Sequence, residues 1–126
     1  SFSDLRVEFD ENDNTQLAGL RPGGELIRVS GMSTGTADQL YLALRVASVE
    51  DYLARADALP FVADDLFINF DDARAASGFE VLSELAKKTQ VIFFTHHQHL
   101  VDIARSTLGT TINVVSLAKE QTASVV

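Results

Sequence analysis

The chain has 126 residues, of which 46% are hydrophobic and 22% charged, values typical of one globular domain. Its 18 acidic residues exceed its 10 basic residues, so the net charge is −8 and the surface repels nucleic-acid phosphates. No stretch approaches the ~20 apolar residues of a membrane span, and the lack of cysteine excludes disulfides and is compatible with the reducing cytoplasm.

The first thirty residues predict an antiparallel β meander. Apolar and polar residues alternate over Leu5–Phe9, which is the period of a half-buried strand. Turn-forming residues follow at Asp10–Asn14 and again at Arg21–Gly24. The segments Gln16–Leu17 and Leu26–Val29 can therefore return as strands.

From Thr36 onward the pattern predicts α-β-α-β-α-β, which implies a parallel sheet and an α/β fold for residues 31–126. The first helix is apolar on nearly every side, so we expect it to be covered on more than one face. The later elements are a strand at Phe61–Ala63, a helix from Asp71 or Asp72 to about Lys88 with an apolar stripe of Phe79, Leu82, Leu85 and Ala86, a strand at Val91–Phe94 covered on both faces, a helix over Gln98–Leu108 and a strand at Ile112–Val115.

Two of these strands end in residues that suit phosphate chemistry. Ligands of parallel sheets lie outside the carboxyl ends of the strands, where Asp64, Asp65 and His96 fall. Successive side chains of a strand point to opposite faces, so Asp64 can orient Mg²⁺ while Asp65 faces a water. The alternative for the two acids is a solvated acidic loop.

The turn Met32–Thr36 precedes the first long helix of the chain. Backbone N–H groups at a helix N-terminus bind anionic oxygens, and the hydroxyl of Ser33 can add a donor. The alternative is a capping turn, with Ser33 or Thr34 as the N-cap and Asp38 or Gln39 completing the box.

All the histidine of the chain lies at His96, His97 and His99. His96 can sense a terminal phosphate. His96, His99 and Asp102 are spaced three apart, which also permits a Zn²⁺ site. Such sites usually require three or four ligands, each held in place by hydrogen bonds to surrounding residues. A third alternative is that surface histidines cap the following helix.

In this order the motifs resemble the C-terminal lobe of ABC-type ATPase heads in the SMC-like DNA-repair branch, closest to the YhaN-like AAA-family ATPases. Met32–Thr36 and Gln39–Arg45 resemble the L-S-G-G-Q signature and its helix. Leu59–Asp65 is similar to the Walker B strand, Asn69–Asp72 to the D-loop, and Gln90–His96 to the switch-histidine strand.

The resemblance implies roles within the chain's own subunit for three residues. Asp64 would support Mg²⁺, directly or through water, Asp65 would polarise the attacking water, and His96 would touch the γ-phosphate of ATP. Asp65 stands where the family usually has Glu, and its side chain is one methylene shorter.

Other residues would act across a dimer of heads. Ser33, Gly35 and Thr36 would contact the γ-phosphate of ATP on the opposite subunit, and Asp71 would lie at the dimer interface. ATP would thus join two heads, and hydrolysis would separate them. Thr34 and Thr36 replace the Gly and the Gln or Glu of the usual signature.

The site is incomplete, because no G-x-x-x-x-G-K-[ST] phosphate loop occurs in the sequence. We therefore expect residues 1–126 to be one domain that needs the N-terminal Walker A lobe of the same protein, with a coiled coil between the two lobes. Nucleic acid would bind mainly to other parts of the full-length protein. Two alternatives remain open: a metal-dependent phosphodiester hydrolase, or a non-catalytic assembly module of the same fold.

Overall fold

The computed structural model describes residues 2–117, which form a three-stranded antiparallel sheet followed by a two-stranded parallel sheet with helices. The elements in chain order are β1 (Asp4–Phe9), β2 (Thr15–Leu20), β3 (Leu26–Arg28), α1 (Thr34–Leu53), β4 (Phe61–Asp64), α2 (Asp72–Leu85), β5 (Val91–Phe94) and α3 (Gln98–Leu108). Short 3-10 turns follow β3 and α3. Within the described part, no helix has both the length and the apolar character that crossing a membrane requires.

The predicted meander is confirmed, with β2 pairing antiparallel to both β1 and β3. The first turn is held by Asp10, whose carboxylate accepts hydrogen bonds from the backbone N–H groups of Asn12 and Asn14. Asp13 in this turn has a φ of 58°, and Gly24 in the second has a φ of 85°. Asp and Gly both tolerate this left-handed conformation, so the turn residues determine where the strands reverse.

The apolar helix predicted from Thr36 is α1, which begins at Thr34 and ends at Leu53. Leu40 and Leu42 are both buried, and residues two apart lie about 200° apart around a helix. The helix is therefore covered on more than one face, as predicted. The cover is incomplete in the described part of the chain, because Tyr41 and Leu44 remain exposed.

The core lies between α1, β4, β5, α2 and α3, and Phe67 is at its centre with 1% of its surface exposed. Its ring stacks on Phe70 at 5.1 Å and meets Phe79 and Phe93 at 4.8 and 5.0 Å between ring centroids. Gly78 provides the space, since a Cβ there would lie 2.6 Å from the Phe67 ring. This aromatic cluster fixes the turn after β4 against α2 and β5.

The parallel pairing of β4 with β5 is confirmed, but the expected cover on both faces is not. Phe93 packs against the core, whereas Val62 is 58% exposed and Phe94 44% exposed in the described chain. The register places Val62 opposite Ile92 and Asp64 opposite Phe94, so these side chains share the second face. That face has no layer over it within residues 2–117.

Two predictions for the second half of the chain are wrong: the end of the helix that starts near Asp72 and the strand at Ile112–Val115. Helix α2 ends at Leu85 rather than Lys88, because i→i+3 hydrogen bonds tighten the chain over residues 84–88, and Ala86 is exposed instead of joining the stripe. Ile112–Val115 forms no strand in the described residues. The Ile112 side chain packs against the core, but a strand also requires a neighbouring backbone to pair with, which a local apolar pattern does not supply.

Candidate functional site

The ends of β4 and β5 bring Asp65 and His96 together, as predicted. Because the strands are parallel neighbours, their carboxyl ends lie at one edge of the sheet. The hydroxyl of Thr95 donates a 2.6 Å hydrogen bond to Oδ1 of Asp65, and Nδ1 of His96 lies 2.5 Å from Oδ2. Both oxygens of the carboxylate are therefore held by residues that follow β5.

The backbone at Asp65 turns sharply, with a φ of 44°. Its N–H donates to the carbonyl of Phe94 at 3.0 Å, which extends the strand pairing by one residue. Asp tolerates the left-handed region better than most residues, and such conformations concentrate at functional sites. The hydrogen bond from Thr95, followed by that from His96, holds the pKa of Asp65 below its ordinary value, so the carboxylate is ionised at neutral pH.

Asp64 has a different environment from Asp65, as the alternation of a strand predicts. It is exposed at the last position of β4, while its neighbour Ala63 is buried on the opposite face. The two adjacent acids therefore offer one free carboxylate and one oriented carboxylate.

The alternative grouping of His96, His99 and Asp102 as a Zn²⁺ site does not form in the described residues. Nε2 of His99 lies 2.8 Å from Oδ1 of Asp72, and Asp102 accepts a hydrogen bond from Gln98. The strand-to-helix turn breaks the periodicity on which the grouping relied. The structure instead places His97 beside Asp65 and His96, with 3.9 Å between the two imidazole centroids.

The turn before α1 is a capping turn whose N-cap is Ser33. Its Oγ accepts a 3.4 Å hydrogen bond from the backbone N–H of Thr36 and lies 2.8 Å from the hydroxyl of Thr36. The expected closure of the box by Asp38 or Gln39 is wrong, because Asp38 accepts a 2.8 Å hydrogen bond from the side chain of Asn69. The cap leaves the first turn of a 20-residue helix, with its positive dipole end, next to the Asn69–Asp72 segment.

Gly35 lies closely against this second segment. A Cβ at Gly35 would lie 2.7 Å from the carbonyl oxygen of Asn69 and 3.0 Å from Nη1 of Arg74. The guanidinium of Arg74 donates to the hydroxyl of Thr36 at 3.3 Å. The segments that resemble the signature and the D-loop are thus joined within one lobe.

Asp71 caps α2 and also takes part in this junction. Its carboxylate accepts a 2.9 Å hydrogen bond from the backbone N–H of Arg74 and lies 3.6 Å from the Arg74 guanidinium. Arg74, which the sequence analysis did not single out, therefore bridges Asp71 and Thr36. The position of Arg74 three residues after a capping Asp could have predicted its contact with Asp71. Its contact with Thr36 spans 38 positions of the sequence and could not be predicted from a local pattern.

Two solved SMC ATPase chains have a similar fold. One comes from work on ATP-driven dimerisation and DNA-stimulated activation of SMC ATPases; its TM-score is 0.66 at 20% identity, over 91% of this chain and 67% of that chain. The other is the Smc head domain of Pyrococcus furiosus, with an extended coiled coil and bound to the C-terminal domain of ScpA; its TM-score is 0.59 at 19% identity, over 82% of this chain and 25% of that chain. The chain therefore has the fold of the C-terminal lobe of an SMC-like ATPase head, and the resemblance seen in the sequence is confirmed.

In sequence the chain is similar to the uncharacterized protein YhaN of Bacillus subtilis (strain 168), with 32% identity over 101 residues. This match covers 79% of the chain and 10% of YhaN, so the chain spans about a tenth of that relative's length. No protein-family model matches the chain.

Proposed function

We propose that this chain is the C-terminal half of an ATP-binding, ATP-hydrolysing and dimerising head. The observation that carries the proposal is the Asp65 carboxylate, oriented by Thr95 and His96 beside the exposed Asp64 at adjacent strand ends. This arrangement suits hydrolysis of a phosphoanhydride, in which positioned groups and electrostatic stabilisation do most of the work.

Within one subunit, we assign the water-polarising role to Asp65 and contact with the γ-phosphate to His96. The hydrogen bonds that lower the pKa of Asp65 keep its carboxylate ionised at neutral pH, where it can accept a hydrogen bond from the attacking water and orient it. Asp64 fits a hard divalent cation, because it is an exposed carboxylate that can bind Mg²⁺ directly or through water. When bound, Mg²⁺ would neutralise charge on the phosphate oxygens.

Across the dimer, Ser33, Gly35 and Thr36 would bind the γ-phosphate of ATP held by the partner, and Asp71 would lie at the interface. The N-terminus of α1 supports this assignment, since its backbone N–H groups and dipole favour an anion. The bond from Thr36 N–H to Ser33 Oγ is long, at 3.4 Å, so a phosphate oxygen can compete for that donor.

The missing phosphate loop would come from the N-terminal Walker A lobe of the same protein. The uncovered second face of β4 and β5, with Val62 and Phe94 exposed, is consistent with a further structural layer there. We propose a role in DNA repair or chromosome maintenance in the cytoplasm. The net charge of −8 means that other parts of the protein would supply the main DNA contacts.

The first test uses the two lobes. The isolated chain should not hydrolyse ATP, because it has no loop to hold the α- and β-phosphates, and adding the Walker A lobe should restore turnover. Hydrolysis by this chain alone, purified free of other ATPases, would contradict the proposal. Assembly of the complete head without any binding of ATP would instead support the non-catalytic assembly module, which keeps the fold but binds no nucleotide.

The second test is Asp65→Asn in the complete head. Loss of a general base should slow hydrolysis by about 10²–10⁴-fold, while ATP-bound dimers persist or live longer. Asp57→Asn is the matched control, because this exposed acid precedes the opposite, amino-terminal end of β4. Normal hydrolysis by Asp65→Asn would mean that another group activates the water.

A further inference from the structure

Three metal-binding side chains converge just beyond the ends of β4 and β5. One ligand atom from each of Asp65, His96 and His97 lies within 4.8 Å of the other two. The closest pair is Oδ2 of Asp65 and Nδ1 of His96, 2.5 Å apart. His97 has no role in the proposed ATP hydrolysis; it is the N-cap residue of α3, and its side chain makes no capping hydrogen bond.

The backbone places His97 in this cluster. Its N–H donates a 3.1 Å hydrogen bond to the hydroxyl of Thr95, which in turn donates to Asp65. Its Nε2 atom is buried and has no hydrogen-bond partner among residues 2–117. A buried imidazole nitrogen without a partner is costly, and a metal ion bound through Nε2 would supply the missing partner.

Two imidazoles and one carboxylate are the donor set of an open zinc site, with a fourth position for water. Mg²⁺ prefers oxygen ligands and does not match two histidines. We propose that Asp65, His96 and His97 form a binding site for Zn²⁺, separate from the Mg²⁺ ligand assigned to Asp64.

Binding requires only a small local adjustment. Ligand atoms about 2.0–2.1 Å from a tetrahedral Zn²⁺ lie about 3.3 Å from one another, so Oδ2 of Asp65 and Nδ1 of His96 must move apart from their 2.5 Å separation. Any separation in the cluster that is wider than about 3.3 Å must shorten. The side chain of His96 is 72% exposed and can move without disturbing the core.

The site has one consequence that rests on the proposed function. Zn²⁺ would occupy the carboxylate that polarises water and the histidine that touches the γ-phosphate. Zn²⁺ should therefore inhibit ATP hydrolysis by the complete head, whereas Mg²⁺ supports it.

The direct test needs no nucleotide, so its failure is distinguishable from failure of the ATPase proposal. Zn²⁺ is titrated calorimetrically into this chain, and we expect saturable binding of one ion per chain. His97→Gln and His96→Gln should each weaken binding by at least about 10-fold. The matched control is His99→Gln, which removes an exposed histidine from the same segment and should leave Zn²⁺ affinity unchanged.

X-ray absorption of the Zn²⁺-loaded chain supplies a second readout, in which we expect two imidazole nitrogens and at least one oxygen around the metal. Circular dichroism checks that each variant folds, and the exposure of His96 keeps His96→Gln informative if His97→Gln does not fold. Unsaturable binding, wild-type affinity in His96→Gln, or equal weakening in His99→Gln would overturn the proposal.

Discussion

Gly35→Ala tests the junction between the turn before α1 and the segment before α2. The added methyl group would lie 2.7 Å from the Asn69 carbonyl oxygen and 3.0 Å from Nη1 of Arg74. The Asn69 oxygen belongs to the backbone and cannot rotate away, so either α1 or the Asn69 segment must shift. Because Asp38 accepts a hydrogen bond from Asn69 and Thr36 accepts one from Arg74 of α2, the shift would disturb the whole junction.

The expected size follows from two opposing effects. Overpacking of this kind typically costs about 1–3 kcal/mol, whereas Ala is favoured over Gly within a helix by up to about 1 kcal/mol. The free energy of unfolding should therefore fall by roughly 0–3 kcal/mol. For a domain of this size a loss of 1 kcal/mol corresponds to about 4 °C in Tm.

The assay is urea unfolding of this chain, paired with solution mass of the complete head with and without ATP. ATP-driven dimerisation should fall, while ATP binding to monomers survives. Gly31→Ala is the control, because its nearest neighbour would be Cγ2 of Ile27 at an ordinary 3.7 Å. If Gly35→Ala raised the free energy of unfolding by the full helix preference of about 1 kcal/mol and left dimerisation normal, the close contact between Gly35 and the Asn69 carbonyl would be refuted.

Three further outcomes are expected. Ser33→Arg should block ATP-driven dimerisation and hydrolysis but not ATP binding to monomers; loss of affinity with dimerisation intact would mean that Ser33 acts within its own subunit. Phe67→Ala should lower the free energy of unfolding by about 3–5 kcal/mol in urea, and a loss below about 1 kcal/mol would contradict its central packing. The hydrogen bond and charge of Asp72 raise the pKa of His99, so their stabilising effect is complete just below the ordinary pKa of a histidine and is lost as pH rises through the raised pKa of His99. NMR titration should find the His99 pKa lowered in Asp72→Asn, and an unchanged value would exclude the pairing.

Features that depend on neighbouring residues could be predicted from the sequence by itself. The meander, the capping roles of Ser33 and Asp71, and the bounds of α3 at Gln98–Leu108 follow from turn residues, caps and hydrophobic period. The meeting of Asp65 with His96 was also predictable. Although distant in sequence, both follow parallel strands, and the carboxyl ends of adjacent parallel strands share one edge.

Contacts between side chains on different helices and strands could be established only from the tertiary structure. The bridge from Arg74 to Thr36 and the approach of Gly35 to Asn69 result from the packing of α1 near α2, which no local period encodes. His97 joined Asp65 and His96, rather than the expected partners of a helical face, because the turn after β5 reorients successive side chains. Ile112 is a second residue whose structure depends on distant segments. Its apolar side chain packs against the core, but its backbone pairs with no strand in the described chain. Local patterns specify which elements form, whereas packing and pairing between distant segments specify which side chains meet.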